Sequence, residues 1–491
     1  MSWRSQFYQL LSKVDLGTMP GNAYDTAWYA RLAQKDEPFA YKALDWLRAN
    51  QLPDGTWGTP YFYYAHDRIV STLAAMTTLG IVGNTADQRR IKKAAGGLAV
   101  VLNDIAHNFT WELAGFEVIA PSLMMEAKKM RLLETQSESF LPGLMQERNK
   151  RMRTLNGYRI NNQMSLAYSA EIAGDNVSLL DVDQLLMQDG SVYFSPAATA
   201  YYYLHARQEP AALAYLQAIA QNMNGAMPNV YPFAVFERAW SLWNLALVDA
   251  LDAEGRALCT PILDKLERGW EPLRGVSFTD GATPDGDDTS LTFAVLHQYG
   301  RSVGIEALLH HFVGEHMQCN AHEANPSIST NIHALGAFRQ ADLAPTHPII
   351  NRIVNFLHEA KGAGGFWLDK WHISPYYATS HAVITASGYV DWLVETAVSW
   401  IAATQRDDGS WGTYLPTAEE TAYAIQALAI RQQMTNEVHN EAIKRGANWL
   451  LAHRNEPHPP LWVGKVLYSP TVVNESAVLS ALWLAEQIGA L

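Results

Sequence analysis

At 491 residues, with 48% apolar and only 17% charged residues, the chain is long enough for about two or three domains around a large core. A net charge of −13, with no run of Lys or Arg able to follow a phosphate backbone, argues against a nucleic-acid partner; a small anion needs only a few local cations. Cys259 and Cys319 give neither a disulfide framework nor a metal-ligand spacing, the N-terminus lacks an apolar signal segment, and no apolar run nears the ~20 residues that span a bilayer, so a cytoplasmic protein without membrane insertion is expected.

Helical periodicity dominates in chain order. Apolar groups fall at helix spacing over 40–47, 210–222, 388–403, 417–431, 440–452 and 474–488. Strand-like alternation is rare, and short Gly/Pro/Asn/Asp turns break the pattern. The expectation is an all-α protein of about twenty to twenty-five helices. Sixteen Trp and twenty-two Tyr belong mostly to the core, although ring faces can also stabilise a carbocation.

An internal repeat sits in the turns. Gln51-Leu52-Pro53-Asp54-Gly55-Thr56-Trp57-Gly58 returns as Gln405-Arg406-Asp407-Asp408-Gly409-Ser410-Trp411-Gly412. A degraded copy begins at Gln188-Asp189-Gly190-Ser191, with Tyr193 and Phe194 in place of Trp. Asp-Gly makes a tight turn after a helix, and the Gln and Trp can tie that turn to the next helix. The repeat points to two related helical barrels and carries no chemistry.

Chemistry enters at Asp285-Gly286-Asp287-Asp288-Thr289, followed directly by the apolar run from Leu291 to Leu296. Three carboxylates within four positions resist ionising together, and apolar surroundings resist each charge further. Such a cluster can keep one carboxyl protonated near neutral pH as a proton donor. Pro284 suits the first turn of a helix starting near Thr283, whose N-terminus would strengthen the acid. An isolated motif of this kind also fits an acidic capping turn or a divalent-metal loop.

The accompanying motifs resemble the class II terpene cyclases, and the class II diterpene cyclases in particular. Asn22-Ala23-Tyr24-Asp25-Thr26-Ala27-Trp28 is similar to that family's SAYDTAW segment. Gly115-Phe116-Glu117-Val118 with Pro121-Ser122-Leu123 resembles its GFEVAFPSL stretch, and 194–200 its FSPSSTA stretch. Pro228-Asn229-Val230-Tyr231-Pro232 with Phe236-Glu237-Arg238 resembles PNVYPVDLFER, and Trp462-Val463-Gly464-Lys465 with Leu467-Tyr468 resembles WIGKTLY. The matches run in family order from about residue 22 to 470.

The resemblance implies two α-barrel (α/α toroid) domains in the βγ architecture: a β domain of 1–37 and 260–491, and an inserted γ domain of 38–259. Substrate would lie between the barrels, where ligand sites are common. It implies an isomerase that protonates geranylgeranyl diphosphate and closes two rings while the diphosphate is kept. The chain has no DDxxD motif of the kind that ionises diphosphate in class I enzymes. By match, Asp287 is the acid, Asp285 and Asp288 orient it, and Asn331 holds its carboxyl. Asn229, Tyr231, Trp367, Trp371 and Tyr376 would shape the pocket, Lys465 and Arg153 would hold diphosphate, and Glu117 would help hold Mg²⁺. His333 and His372 are expected to be structural.

One departure bears on product. Plant enzymes making ent-copalyl diphosphate pair the PNV asparagine with an upstream LHS histidine. Asn229 is present, but aligning 166–169 with the family puts Ala173-Gly174-Asp175 where that histidine falls. Without the base, the bicyclic cation can undergo hydride and methyl shifts. The expectation is a rearranged clerodane (kolavenyl) or halimadane diphosphate rather than ent-copalyl diphosphate, handed on to a class I synthase. Two readings from other classes are an α-barrel glycoside hydrolase with Asp287 as general acid, and a non-catalytic helical scaffold. The YDTAW and PNVYP matches argue against the hydrolase, and in a scaffold a buried DGDDT would have no evident purpose.

Overall fold

The computed structural model describes residues 3–491 except 16, 18, 106–112, 154, 156, 249–251, 322 and 324. Twenty-one α-helices occur among the described residues, with two short antiparallel hairpins, Phe312–Val313 with His316–Met317 and Trp462–Val463 with Leu467–Tyr468. The chain divides into two compact units. One comprises 1–18, 233–461 and 469–491; the other comprises 19–232 and 462–468.

The first unit is a closed ring of six helices: Ala234–Ala246, Gly286–Gln298, Ile328–Gln340, Pro375–Ala386, Ala418–Met434 and Thr471–Gln487. Each contacts the next, and the last returns to the first. Helices between them in sequence, such as Pro348–Ala360 and Asn440–His453, pack outside. Burial follows this position. Pro375–Ala386 is buried at every residue, whereas Pro348–Ala360 buries one stripe, Ile350, Ile353, Val354 and Leu357. An inner helix has neighbours on all sides, and an outer one shows a single apolar face to the layer beneath.

In the second unit, helices Ala23–Ala30, Ala65–Val82, Phe116–Lys129 and Pro196–Tyr201 and the 3₁₀ segment Ser165–Ala173 form a five-membered ring. Pro38–Ala49, Asp87–Ile105 and Pro210–Asn222 lie outside it. The divisions therefore fall at 18/19 and 232/233, not at the expected 37/38 and 259/260. The reason is packing: Ala23–Ala30 sits against Pro38–Ala49 and Ala65–Val82, while Ala234–Ala246 completes the six-helix ring. The Trp462–Tyr468 hairpin, expected with the acid motif, belongs to the second unit. Gly464 O accepts from Ala114 N (3.0 Å), and Leu467 N donates to Asp67 Oδ1 (3.3 Å).

The repeated turns have one construction. Gly55 and Gly409 lie at φ of +93° and +95°, each pressed on the backbone of the following outer helix, where a Cβ would come within 2.6 or 2.7 Å of a carbonyl oxygen. Gln51 and Gln405 also clamp that helix, through Arg90 O and Ala442 O. Each Trp instead donates Nε1 to the preceding helix, Trp57 to Leu47 O and Trp411 to Ile401 O. The Trp backbone N–H is taken by a threonine hydroxyl on the next inner helix, Thr72 or Thr421.

This threonine lock recurs where the sequence repeat has faded. Thr199 takes the N–H of Val192, which sits in the Trp register of the degraded copy. Thr379 takes Trp367 N, whose indole donates to Leu357 O at 2.7 Å, and Thr289 takes Val276 N.

Candidate active site

The acid motif opens helix Gly286–Gln298. The helix starts two residues later than Pro284 suggested, and Asp285 is its N-cap, with Oδ1 accepting from Asp287 N (3.0 Å) and Asp288 N (2.9 Å). Its Oδ2 accepts from Ser277 Oγ at 3.1 Å. Thr289 is the lock of the 271–276 turn, so the family's DGDDT serves the barrel and the acid in one stretch. Gly286 is obligatory there, since a Cβ would lie 2.1 Å from Gln318 O.

All three carboxyls are buried. Burial pushes Asp285 up to about 7, against the Asp288 N–H bond that favours its charge, and the Asp287 charge raises it further. Asp288 is held well above the usual carboxylate range by burial first and then by the charges of Asp285 and Asp287. Burial and the two neighbouring carboxylates thus both oppose ionisation of Asp288. Asp287 retains 11% of its side-chain surface, and its Oδ1 lies 2.6 Å from His333 Nδ1.

His333 thus stands where Asn331 was expected. Asn331 is two residues away on the same helix and faces the 316–317 strand. Its Oδ1 accepts from Met317 N (2.9 Å), and its Nδ2 donates to Met317 O (3.0 Å) and Ser327 O (2.9 Å). An amide at the lock position performs both halves of the threonine's task, so Asn331 is part of the frame, and these three bonds go to Met317 and Ser327 rather than to Asp287. Beyond His333 lies His381, with Nδ1 2.9 Å from His333 Nε2.

Rings gather around this chain: Trp240 on His333, Trp243 and Tyr377 on His381, and Tyr423 edge-on to His381. Tyr377 OH accepts from Trp240 Nε1 at 3.1 Å. His372 lies in the same core and bonds Glu419 Oε1 at 3.0 Å. The sequence signal for these residues is register. His333, His381 and Tyr423 each follow a lock residue by two, at Asn331, Thr379 and Thr421, which turns them toward the barrel interior.

The aromatic residues expected in the pocket are held by contacts of their own. Trp367 is fully buried as a turn anchor, as described above. Tyr376 packs at a tilt against Trp400 of the outer helix Glu395–Ala403, ring centroids 4.7 Å apart. Trp371 is half-buried beneath Lys370 Nζ (5.1 Å from its ring), in a loop tied by Asp369 to the start of helix Ile328–Gln340.

The second unit holds a separate buried polar cluster. Lys465, fully buried, pairs with Glu171 Oε1 (2.6 Å) and donates to Ser195 Oγ (2.7 Å). Tyr24 OH donates to the same carboxylate oxygen at 2.6 Å. A cation so neutralised has little charge left for a diphosphate, which corrects the expectation for Lys465. Asp25 beside it is raised to about 7 by burial, against the lowering charge of Lys465.

Asn229 is buried against Gly464, where a Cβ would lie 1.7 Å from Nδ2, and its Oδ1 has no hydrogen-bond partner. The side chain at its backbone is Tyr168, whose OH donates to Asn229 O at 2.9 Å; Lys465 Nζ sits 4.5 Å over that ring. Tyr231, half-buried, accepts from Tyr215 OH at its carbonyl (2.6 Å). The 173–175 stretch lies elsewhere: Gly174 O accepts from Tyr201 OH, and Asp175 pairs with Lys129 at the surface. Tyr168, not Ala173-Gly174-Asp175, is the neighbour of Asn229.

Arg153 is exposed at the end of helix Leu141–Arg153. Glu117 Oε1 is engaged by Arg151 Nε at 3.0 Å. No group of three or more His, Cys, Asp or Glu side chains among the described residues is placed to hold a metal ion, and with Glu117 engaged these residues do not form a cage for Mg²⁺.

Among known proteins, the chain is 41% identical to the Type B diterpene cyclase of Mycobacterium tuberculosis over 98% of its own length and 99% of that protein's. The chain belongs to the class II diterpene cyclases. This cyclase is also 30% identical to the ent-copalyl diphosphate synthase of Streptomyces sp. KO-3988, covering 91% of the chain and 88% of that protein. Residues 318–462 match the squalene-hopene cyclase C-terminal domain model. The solved ent-copalyl diphosphate synthase of Streptomyces platensis superposes with a TM-score of 0.82 over 99% of both chains, at 28% identity. The cyclase is accordingly an all-α enzyme of the isomerase type. No helix among its described residues is long and apolar enough to cross a membrane.

Proposed function

We propose that the protein cyclises geranylgeranyl diphosphate by protonation, with Asp287 as the acid, and that the product keeps its diphosphate. The observation that carries this is the buried carboxyl trio with His333 Nδ1 2.6 Å from Asp287 Oδ1. Asp288 and Asp285 share protons that three adjacent carboxyls cannot all release, so the cluster favours a protonated carboxyl at neutral pH. The Asp287 hydroxyl adds its proton to the CH carbon of the terminal alkene, the resulting tertiary cation is attacked by successive double bonds to form two rings, and the final cation loses one proton to solvent, so the product is an isomer of the substrate. As the carboxylate forms, His333 and the helix N-terminus stabilise it. Trp240, Trp243, Tyr377 and Tyr423 supply ring faces able to stabilise cations nearby.

For the end of the reaction we propose a rearranged product, of clerodane (kolavenyl) or halimadane type. Tyr168 occupies the place beside Asn229, its phenol raised well above 10 chiefly by burial and already spent as a donor to Asn229 O. A phenol in that state is a poor base for a bicyclic cation, which leaves time for hydride and methyl shifts. For the diphosphate we propose Arg153 and Lys150 as surface cations, with Lys465 holding Glu171 and Tyr24 in place. Mg²⁺ enters the proposal only as a counter-ion brought by the diphosphate. A class I synthase is the enzyme type that would consume such a product.

The test is incubation with geranylgeranyl diphosphate, dephosphorylation, and identification of the alcohols by mass spectrometry and NMR. Wild type gives a bicyclic alcohol and Asp287→Asn gives geranylgeraniol alone. Tyr168→His moves product toward the unrearranged copalyl skeleton. Cyclisation by Asp287→Asn refutes the acid assignment, and a copalyl skeleton from wild type refutes the rearranged product.

A further inference from the structure

We propose that His381 is a positioning residue that locks His333 in the tautomer donating to Asp287. The proposal rests on Asp287 being the acid. Both ring nitrogens of His333 are committed, Nδ1 to Asp287 Oδ1 (2.6 Å) and Nε2 to His381 Nδ1 (2.9 Å), and its side chain is fully buried. The chain ends at His381 Nε2, which is buried without a hydrogen-bond partner.

Two neutral arrangements satisfy both hydrogen bonds. In one, each imidazole donates from Nδ1 toward Asp287, and a bare lone pair is left at His381 Nε2. In the other, each imidazole donates from Nε2, which leaves a buried N–H without an acceptor and turns the Asp287 hydroxyl toward His333. Orphaned buried N–H groups are rarer than underused acceptors, so the first arrangement is the stable one. It leaves the Asp287 proton on the oxygen that His333 does not cover.

The same contact keeps His333 neutral. A second proton on its Nε2 would meet the His381 N–H head-on, or would force His381 into the tautomer whose Nε2–H is buried without an acceptor. Were His333 cationic, Asp287 would be its carboxylate partner, with no proton to give to an alkene. His381 cannot relieve the clash by taking the charge itself, because burial holds it well below its ordinary range, reinforced by His333 and His372. The groups facing it are His333 from helix Ile328–Gln340, Tyr377 from its own helix, Tyr423 from Ala418–Met434, Trp243 from Ala234–Ala246, and the His372 ring bonded to Glu419. No carboxylate bonds His381 directly among the described residues.

Histidine ¹⁵N spectra of the free protein, with His333 assigned by loss of its signals in His333→Gln, read the lock directly. Wild type shows a protonated Nδ1 and a bare Nε2 on His333 at pH 7; His381→Phe shows both nitrogens protonated. With geranylgeranyl diphosphate, His381→Phe loses at least 10-fold in kcat with KM unchanged. His381→Asn, whose amide N–H takes the place of Nδ1, recovers most of that loss. A cationic His333 in wild type, or a neutral one in a folded His381→Phe, overturns the lock. So does an Asn variant no better than Phe. Because the spectra need no turnover, they decide the lock even if Asp287→Asn still cyclises and the acid assignment falls.

Discussion

Replacing Asn331 separates a frame residue from a residue that holds the acid. In Asn331→Leu three hydrogen bonds vanish, to Met317 N, Met317 O and Ser327 O, all at a fully buried position. The Met317 N–H is left without its acceptor, at a cost of about 1–3 kcal/mol, and each carbonyl loses a bond worth about 0.5–1.5 kcal/mol. Met317 O keeps His316 as a partner, so the total is about 3 kcal/mol. For a unit of this size that is a fall of roughly 5 °C in Tm. Asn331→Thr should keep most of the stability, because threonine performs the same lock at Thr289, Thr379 and Thr421. Differential scanning calorimetry together with turnover of geranylgeranyl diphosphate checks both variants. Near-normal kcat in folded Asn331→Thr is the expected outcome. A Thr variant with wild-type Tm and no activity would refute the frame assignment and return the amide to the acid.

Trp367→Phe removes the bond to Leu357 O and some buried ring, lowering stability by about 1–2 kcal/mol while leaving product and kcat unchanged; a changed product mixture would put Trp367 back in the pocket. Stability should also fall between pH 6.5 and 8. Asp25, Asp285 and Glu237 are each raised by burial to about 7, so between their unfolded values and 7 the folded state binds more protons than the unfolded one, and stability drops as pH rises. His66 and His311, lowered by burial to about 4, act oppositely but only below about 6.5, where the unfolded chain takes up protons. Glu237→Gln, which keeps an oxygen for the backbone N–H groups of Asp15 and Gly17, should flatten part of the slope. A Tm that climbs from pH 6.5 to 8 would contradict the assignment.

The sequence alone determined the helical class, the repeated turns and the acid motif, because each is written in local chemistry. Helical period, an Asp-Gly turn with its Trp, and three carboxyls at the mouth of a helix need no distant partner to be recognised. It also carried the family, through motifs spread along most of the chain. The tertiary structure decided which side chains meet. Asn331 and His333 are two residues apart on one helix, and only their rotation about its axis sends one to Met317 and the other to Asp287. Trp367 and Tyr376 are aromatic residues of a promising stretch, yet one anchors a turn and the other packs against an outer helix. Lys465 reads as a free cation until Glu171, 294 residues away, is found against it. Tyr168 became the neighbour of Asn229 in the same way. Pairings of this kind depend on how separate helices close into a ring, and local chemistry is silent on that closure.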